Sequence, residues 1–170
     1  MIQPETSINP EELLKELRAK LSHSKVTFRR LAGNSLLIYF GCQPGDEQGI
    51  TLWFEPTWHF CGPQGLLVGS RQAQVWDQPN EEEEMERIGK PLDLLIGKGI
   101  QSLVLEPRTF DIAVFFEGDY WIKTFAADPE DEHSWHIRDN AKRLALYGAP
   151  EGLSVHYIEP RQEHLSSEAH

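Results

Sequence analysis

The stretch ITLWFEPTWHFCGPQGLLV, residues 50–68, decides the fold class. Ile50, Leu52 and Phe54 alternate with Thr51 and Trp53, the two-residue period of a strand. Glu55–Pro56 interrupts the pattern, and Trp58 and Phe60 resume it. Gly62–Pro63–Gln64–Gly65 reads as a turn, and Leu66 to Val68 as a further short strand. These connections are too short to hold helical crossovers, so neighbouring strands must run antiparallel as a meander.

Upstream the same period continues. Val26, Phe28 and Arg30 alternate with their neighbours. After a Gly33–Asn34 turn, Leu36, Ile38 and Phe40 point one way and Leu37 and Tyr39 the other. Gly41 to Gly49 is loop chemistry. Ahead of the strands, Asn9 is placed to cap a helix over residues 10–22. Pro10 stands at its first position, Glu11 and Glu12 face the positive end of its dipole, and Leu14, Leu17 and Leu21 recur at helical spacing.

Downstream, Asn80 is expected to cap a second helix with Glu81, Glu82, Glu83 and Glu84 in its first turn. Its apolar face is Met85, Ile88, Leu92, Leu95 and Ile96, and Gly89 and Pro91 interrupt it, so a kink or two short helices are expected. Strands follow at Ile100 to Leu105, around Ile112 to Phe116, and at Trp121 to Phe125, joined by turns at Pro107–Arg108 and Gly118–Asp119. Trp135 and Ile137 mark another, Asp139 is read as the cap of a short extra helix near 140–147, and Leu153, Val155 and Tyr157 form the last strand.

The fold class expected is therefore α+β, with antiparallel meander sheets and a helix preceding each. The order of elements repeats, suggesting pseudo-duplicated halves at about 9–76 and 80–158 within a single domain spanning 1–170. Each half carries a Trp-His-apolar triplet, Trp58-His59-Phe60 and Trp135-His136-Ile137, and each later a Gly-Leu pair, Gly65-Leu66 and Gly152-Leu153. Residues 159–170 read as a flexible polar tail.

Charge excludes some functions and favours others. The 170 residues carry a formal net charge of −11. Residues 1–40 hold six Lys/Arg against four Asp/Glu, so the deficit lies downstream. One acidic cluster comprises Asp77, Glu81, Glu82, Glu83, Glu84 and Glu86, and a second Asp128, Glu130, Asp131 and Glu132. Such a field repels nucleic acid and attracts basic proteins. No apolar run approaches the roughly 18 residues of a membrane helix, so no membrane role is expected and a cytoplasmic location is.

The chemistry of catalysis is thin. No Gly-x-Ser-x-Gly elbow is present, and Gly97-Lys98-Gly99 lacks the spacing of a phosphate loop. Cys42 and Cys61 have no paired-cysteine spacing and read as buried free thiols, although Cys61 and His59 share a strand face on which a thiolate pair could form. His133-x-x-His136, beside Asp131 and Glu132, is the only local grouping with metal-ligand character. A third ligand could come from His59 or His156, but none is placed by spacing, so neither a metal nor a cofactor is assigned. The tryptophans Trp53, Trp58, Trp76, Trp121 and Trp135 fall on or beside strands. Of these, Trp53 and Trp121 alternate with core residues, so either they face outward, where they would join the acidic clusters as a contact surface, or their sheet is covered on both sides.

The segment Gly49 to Phe60, followed by Leu67-Val68-Gly69-Ser70, resembles small bacterial α+β proteins that carry an apolar-x-Trp-apolar-x-Pro-x-Trp-Arg strand pair and a Gly-Ser strand end. Here His59 stands in place of that arginine. Phe110 to Phe125 and then Trp135 look like the hairpin of the same proteins and of immunity proteins from polymorphic-toxin systems. The similar stretches cover about half the chain. The resemblance implies a small acidic protein that acts by binding, without chemistry of its own: an immunity-type inhibitor of a basic partner such as a toxin. The alternative is a small-molecule-binding or hydrolytic domain with a pocket between the halves, using His59, His136 or Glu117. A structural subunit that forms a homodimer through an open sheet edge is the third reading.

Overall fold

In the computed structural model, residues 7–75 and 78–159 are described. They form an α+β fold of two antiparallel sheets and two α-helices. Helix α1 (Pro10–Leu21) starts where the Asn9 side chain accepts a hydrogen bond from the Glu11 amide at 2.9 Å, and it buries Leu13, Leu14, Leu17 and Leu21. Strands β1 (Val26–Ala32), β2 (Ser35–Phe40) and β3 (Ile50–Phe54) follow as a meander, then β4 (Trp58–Gly62) and β5 (Gly65–Gly69) as a hairpin. Helix α2 (Glu81–Gly89) gives way at Lys90 and Pro91 to a 3₁₀ segment, Lys90–Leu95. Next come β6 (Ile100–Leu105), β7 (Ile112–Phe116) and β8 (Tyr120–Thr124). The last three strands are β9 (Trp135–Asp139), β10 (Leu144–Ala149) and β11 (Gly152–Tyr157).

The sheets are not built half by half. The larger has the order β1-β2-β3-β9-β10-β11 and the smaller β5-β4-β8-β7-β6. The chain changes sheets at Glu55–Thr57, between β3 and β4, and returns between β8 and β9. Both crossings sit at seams where the two parts of the chain pair, β3 with β9 and β4 with β8. The expected arrangement, a helix followed by a sheet of its own, is therefore replaced by shared sheets.

Two further expectations are corrected. Residues 144–149 are strand β10, not part of a helix. Leu144 and Leu146 face the core, and the strand pairs with β9 on one side and β11 on the other. Asp139 does accept a hydrogen bond from the Lys142 amide at 3.2 Å, but it closes a turn, from which Arg143 exits with φ 54°. At α2, Asn80 occupies the cap position without a side-chain cap bond.

The inner faces of the sheets form one core. Trp58, Trp135, Phe40, Phe54, Phe60 and Phe116 lie at its centre, each at most 1% exposed. Burial of such a side chain stabilises the fold by roughly 1.5–3 kcal/mol. The two tryptophans each satisfy their indole N–H on a backbone carbonyl: Trp58 donates to Asn34 at 2.8 Å and Trp135 to Phe110 at 2.7 Å. Helix α1 packs on β10 and β11, and its Arg18 reaches the Leu103 carbonyl of β6. The 3₁₀ segment after α2 packs on β1 and β5. Among the described residues, no helix is long and apolar enough to cross a membrane.

Candidate functional site

Because side chains alternate along a strand, the outer face of the larger sheet can be read row by row from its register. One row runs Arg30, Leu37, Trp53, His136, Tyr147 and Ser154. The next runs Phe28, Tyr39, Thr51, Arg138, Ala145 and His156. His136 is held between its cross-strand neighbours, stacked on Trp53 at 5.1 Å on one side and on Tyr147 at 4.6 Å on the other. Tyr147 in turn meets the rings of His133 and His156 edge-on, and the Arg138 guanidinium lies 5.6 Å from the centre of the Trp53 ring.

His136 is 4% exposed, and neither of its ring nitrogens has a hydrogen-bond partner among the described residues. Burial, with Arg138 and His133 adding like charge, lowers its pKa to about 3, so the imidazole is neutral at physiological pH. Trp53 Nε1 and Arg138 Nε, on the same face, are buried and without a partner among the described residues. At the end of β3, Glu55 turns its carboxylate toward this cluster. One oxygen accepts the Ser35 hydroxyl at 2.7 Å, and the other lies 3.6 Å from His133 Nε2. Glu55, His133 and His136 thus each offer a donor atom within 4.8 Å of the others.

The sequence pointed to His133 and His136, and the structure brings them together with ring centres 5.7 Å apart. It does not bring His59, which lies on the other sheet against Phe125, and His156 pairs with Ser154 instead. Glu55 was missed as a site residue because its local signal is only a break in a strand pattern. Its place beside His133 follows from the β3–β9 pairing, through which the Glu55 amide bonds the Ser134 carbonyl.

The contact residues expected from the sequence are dispersed. Trp53 and Trp121 are both half-buried, but on the outer faces of different sheets. Trp121 lies in a row with Leu66, Cys61 and Phe115, under the ammonium of Lys123 at 5.6 Å. In the β8–β9 loop, Asp131 accepts the Ala127 and Asp128 amides and Asp128 accepts the Glu130 amide, so these acids fold their own loop, while Glu132 is exposed. Asp77 and Trp76, like the polar tail from residue 160 onward, lie outside the described residues.

On α2, Glu81, Glu82 and Glu83 are exposed, and Glu84 pairs with Arg87 at 2.7 Å, which holds its carboxyl below the ordinary range. Between α2 and β1 lies an open groove of about 860 Å³. Leu31, Phe28 and Met85 supply its apolar surface, Glu82, Glu83 and Glu86 its helical wall, and Arg29 and Arg30 the opposite wall. Arg29 is committed to Asp93 at 2.8 Å and Glu86 at 3.6 Å, whereas Glu82 and Glu83 form no ion pair among the described residues.

Both cysteines are buried, and burial raises the pKa of each thiol, which opposes the thiolate pair with His59. The space between the sheets is filled by Trp58, Trp135, Phe54, Phe60 and Phe116, whereas the open groove between β1 and α2 is lined by residues from both halves of the chain, where the small-molecule alternative places its pocket. Comparison of the chain with known proteins finds no matching family model, no matching curated sequence and no matching solved structure.

Proposed function

We propose that the protein is a non-catalytic binding module that docks a basic protein partner in the manner of an immunity-type inhibitor. The observation that carries this reading is the groove between β1 and α2: an apolar strip from Phe28, Leu31 and Met85 beside the carboxylates of Glu82 and Glu83, which form no ion pair among the described residues. Apolar contact supplies affinity at such a surface, while the carboxylates steer a cationic partner and set its register.

We further propose that the two parts of the chain are copies of one module. Mapping β1–β5 onto β6–β10 carries the order β1-β2-β3-β9-β10 of one sheet onto that of the other. The same mapping places Trp58 on Trp135, whose indoles cap carbonyls in corresponding connections, β1–β2 and β6–β7. On this reading β11 is an addition to the second copy, and Gly65 corresponds to the start of β10, not to Gly152.

The test is capture of a partner by the full-length chain at low ionic strength, followed by measured affinities. The partner should be basic. Its affinity should fall at least about tenfold for the Glu82→Lys/Glu83→Lys variant, and also as salt rises from about 50 to 300 mM. An acidic partner, or affinity indifferent to both changes, would sink the proposal.

A further inference from the structure

We propose that Glu55, His133 and His136 form a binding site for one divalent transition-metal ion of the zinc class, on the outer face of the larger sheet and apart from the acidic groove. Three features support the site. Two imidazoles and a carboxylate are the donor set that suits zinc-class ions, whereas magnesium and calcium take oxygen ligands. Ligands at the usual ~2.1 Å from a tetrahedral ion stand about 3.4 Å from one another, and Glu55 Oε1 and His133 Nε2 are already 3.6 Å apart. The third feature is His136 itself, an almost wholly buried imidazole with both nitrogens unpartnered among the described residues. A buried polar group of this kind is costly unless something completes it.

The surroundings hold the donors in place. Trp53 and Tyr147 clamp the plane of the His136 ring. The Ser35 hydroxyl holds one Glu55 oxygen and leaves the other directed at His133, the kind of outer contact that orients a ligand. Glu55 and His133 are half-exposed, so the ion would enter from solvent and keep a coordination position open there. Glu55 follows β3 and His136 lies on β9, so the bound ion bridges the seam between the two parts of the chain.

The experiment is calorimetric titration of the full-length, chelator-treated protein with Zn²⁺, with the visible absorption of Co²⁺ as a second readout. One ion per chain is expected, with a rise in melting temperature and a tetrahedral-type Co²⁺ spectrum. His133→Ala and Glu55→Gln, both at half-exposed positions, should each weaken binding at least about tenfold, and His136→Phe should abolish it. His156→Ala, on the same face, and the His164→Ala/His170→Ala chain should bind as the parent does. No saturable binding below about 1 mM Zn²⁺, or stoichiometric binding that survives His133→Ala and Glu55→Gln, or binding lost with the control histidines, would overturn the proposal.

Discussion

The indole of Trp135 lies directly against Gly148, its register partner across the β9–β10 pair, so closely that a side chain on residue 148 would overlap the six-membered ring and the indole nitrogen. The ring can therefore reach the core and the Phe110 carbonyl only over a bare backbone. Gly148→Ala is expected to destabilise the protein by about 2–3 kcal/mol, the cost of overpacking a tight core. Urea denaturation followed by tryptophan fluorescence measures it, with Gly45→Ala on an open loop as a comparison for backbone strain alone. A loss under about 0.5 kcal/mol at position 148, within the scatter of ordinary surface changes, would mean that the sheet opens to admit the methyl.

Acid should weaken the fold well before the carboxylates titrate, through His136. Its folded-state pKa is about 3, against 6.5 for a free imidazole, so the unfolded chain takes up the proton first. The stabilisation is complete above pH 6.5 and is lost progressively as the pH falls toward 3, with a full amplitude on the order of 5 kcal/mol. Denaturant midpoints measured in metal-free buffer between about pH 7.5 and 4.5 should fall accordingly. His136→Phe, which keeps an aromatic ring between Trp53 and Tyr147, should flatten that slope; an unchanged slope would show that another group carries it.

Arg29 is the strongest electrostatic tie between β1 and the segment after α2. Its side chain is 13% exposed, it bonds Asp93, and its hydrogen bond holds the Asp93 carboxyl below the ordinary range. Arg29→Ala should cost about 1–3 kcal/mol, because the charged hydrogen bond is lost and aliphatic packing goes with it. Adding Asp93→Ala should cost less in the Arg29→Ala background than alone, and a double-mutant cycle by thermal or chemical denaturation gives that coupling. Strict additivity would place Arg29's contribution in packing only.

Both thiols should be slow to react. Burial disfavours the thiolate of Cys42 and of Cys61. A disulfide reagent at about pH 8, near the usual thiol pKa, should modify the native protein far more slowly than the urea-unfolded chain. Rapid labelling of Cys61 in the native state would show that the His59 face of β4 opens readily.

Local patterns carried much of this architecture. Asn9–Pro10 marked the start of α1, the alternation from Ile50 to Phe54 marked β3, and Gly89 and Pro91 marked the interruption between α2 and the 3₁₀ segment that follows it. What remained hidden was long-range. Leu144 to Ala149 has the apolar content of a helix or a strand, and only pairing with β9 and β11 decides between them. Likewise no spacing joins Glu55 to His133, since strand pairing that brings distant segments together leaves little local mark. His133 and His136 were legible because they stand three residues apart, His133 in the loop that leads into β9 and His136 near its start.

Because the chain exchanges sheets twice, every β-layer contains strands from both parts of the polypeptide. A cut between β5 and α2 would leave two fragments, each with unpaired strands at two seams and half a hydrophobic interior. Reassembly would then become a bimolecular reaction, and two intact copies trading those portions would restore every pairing in an intertwined dimer.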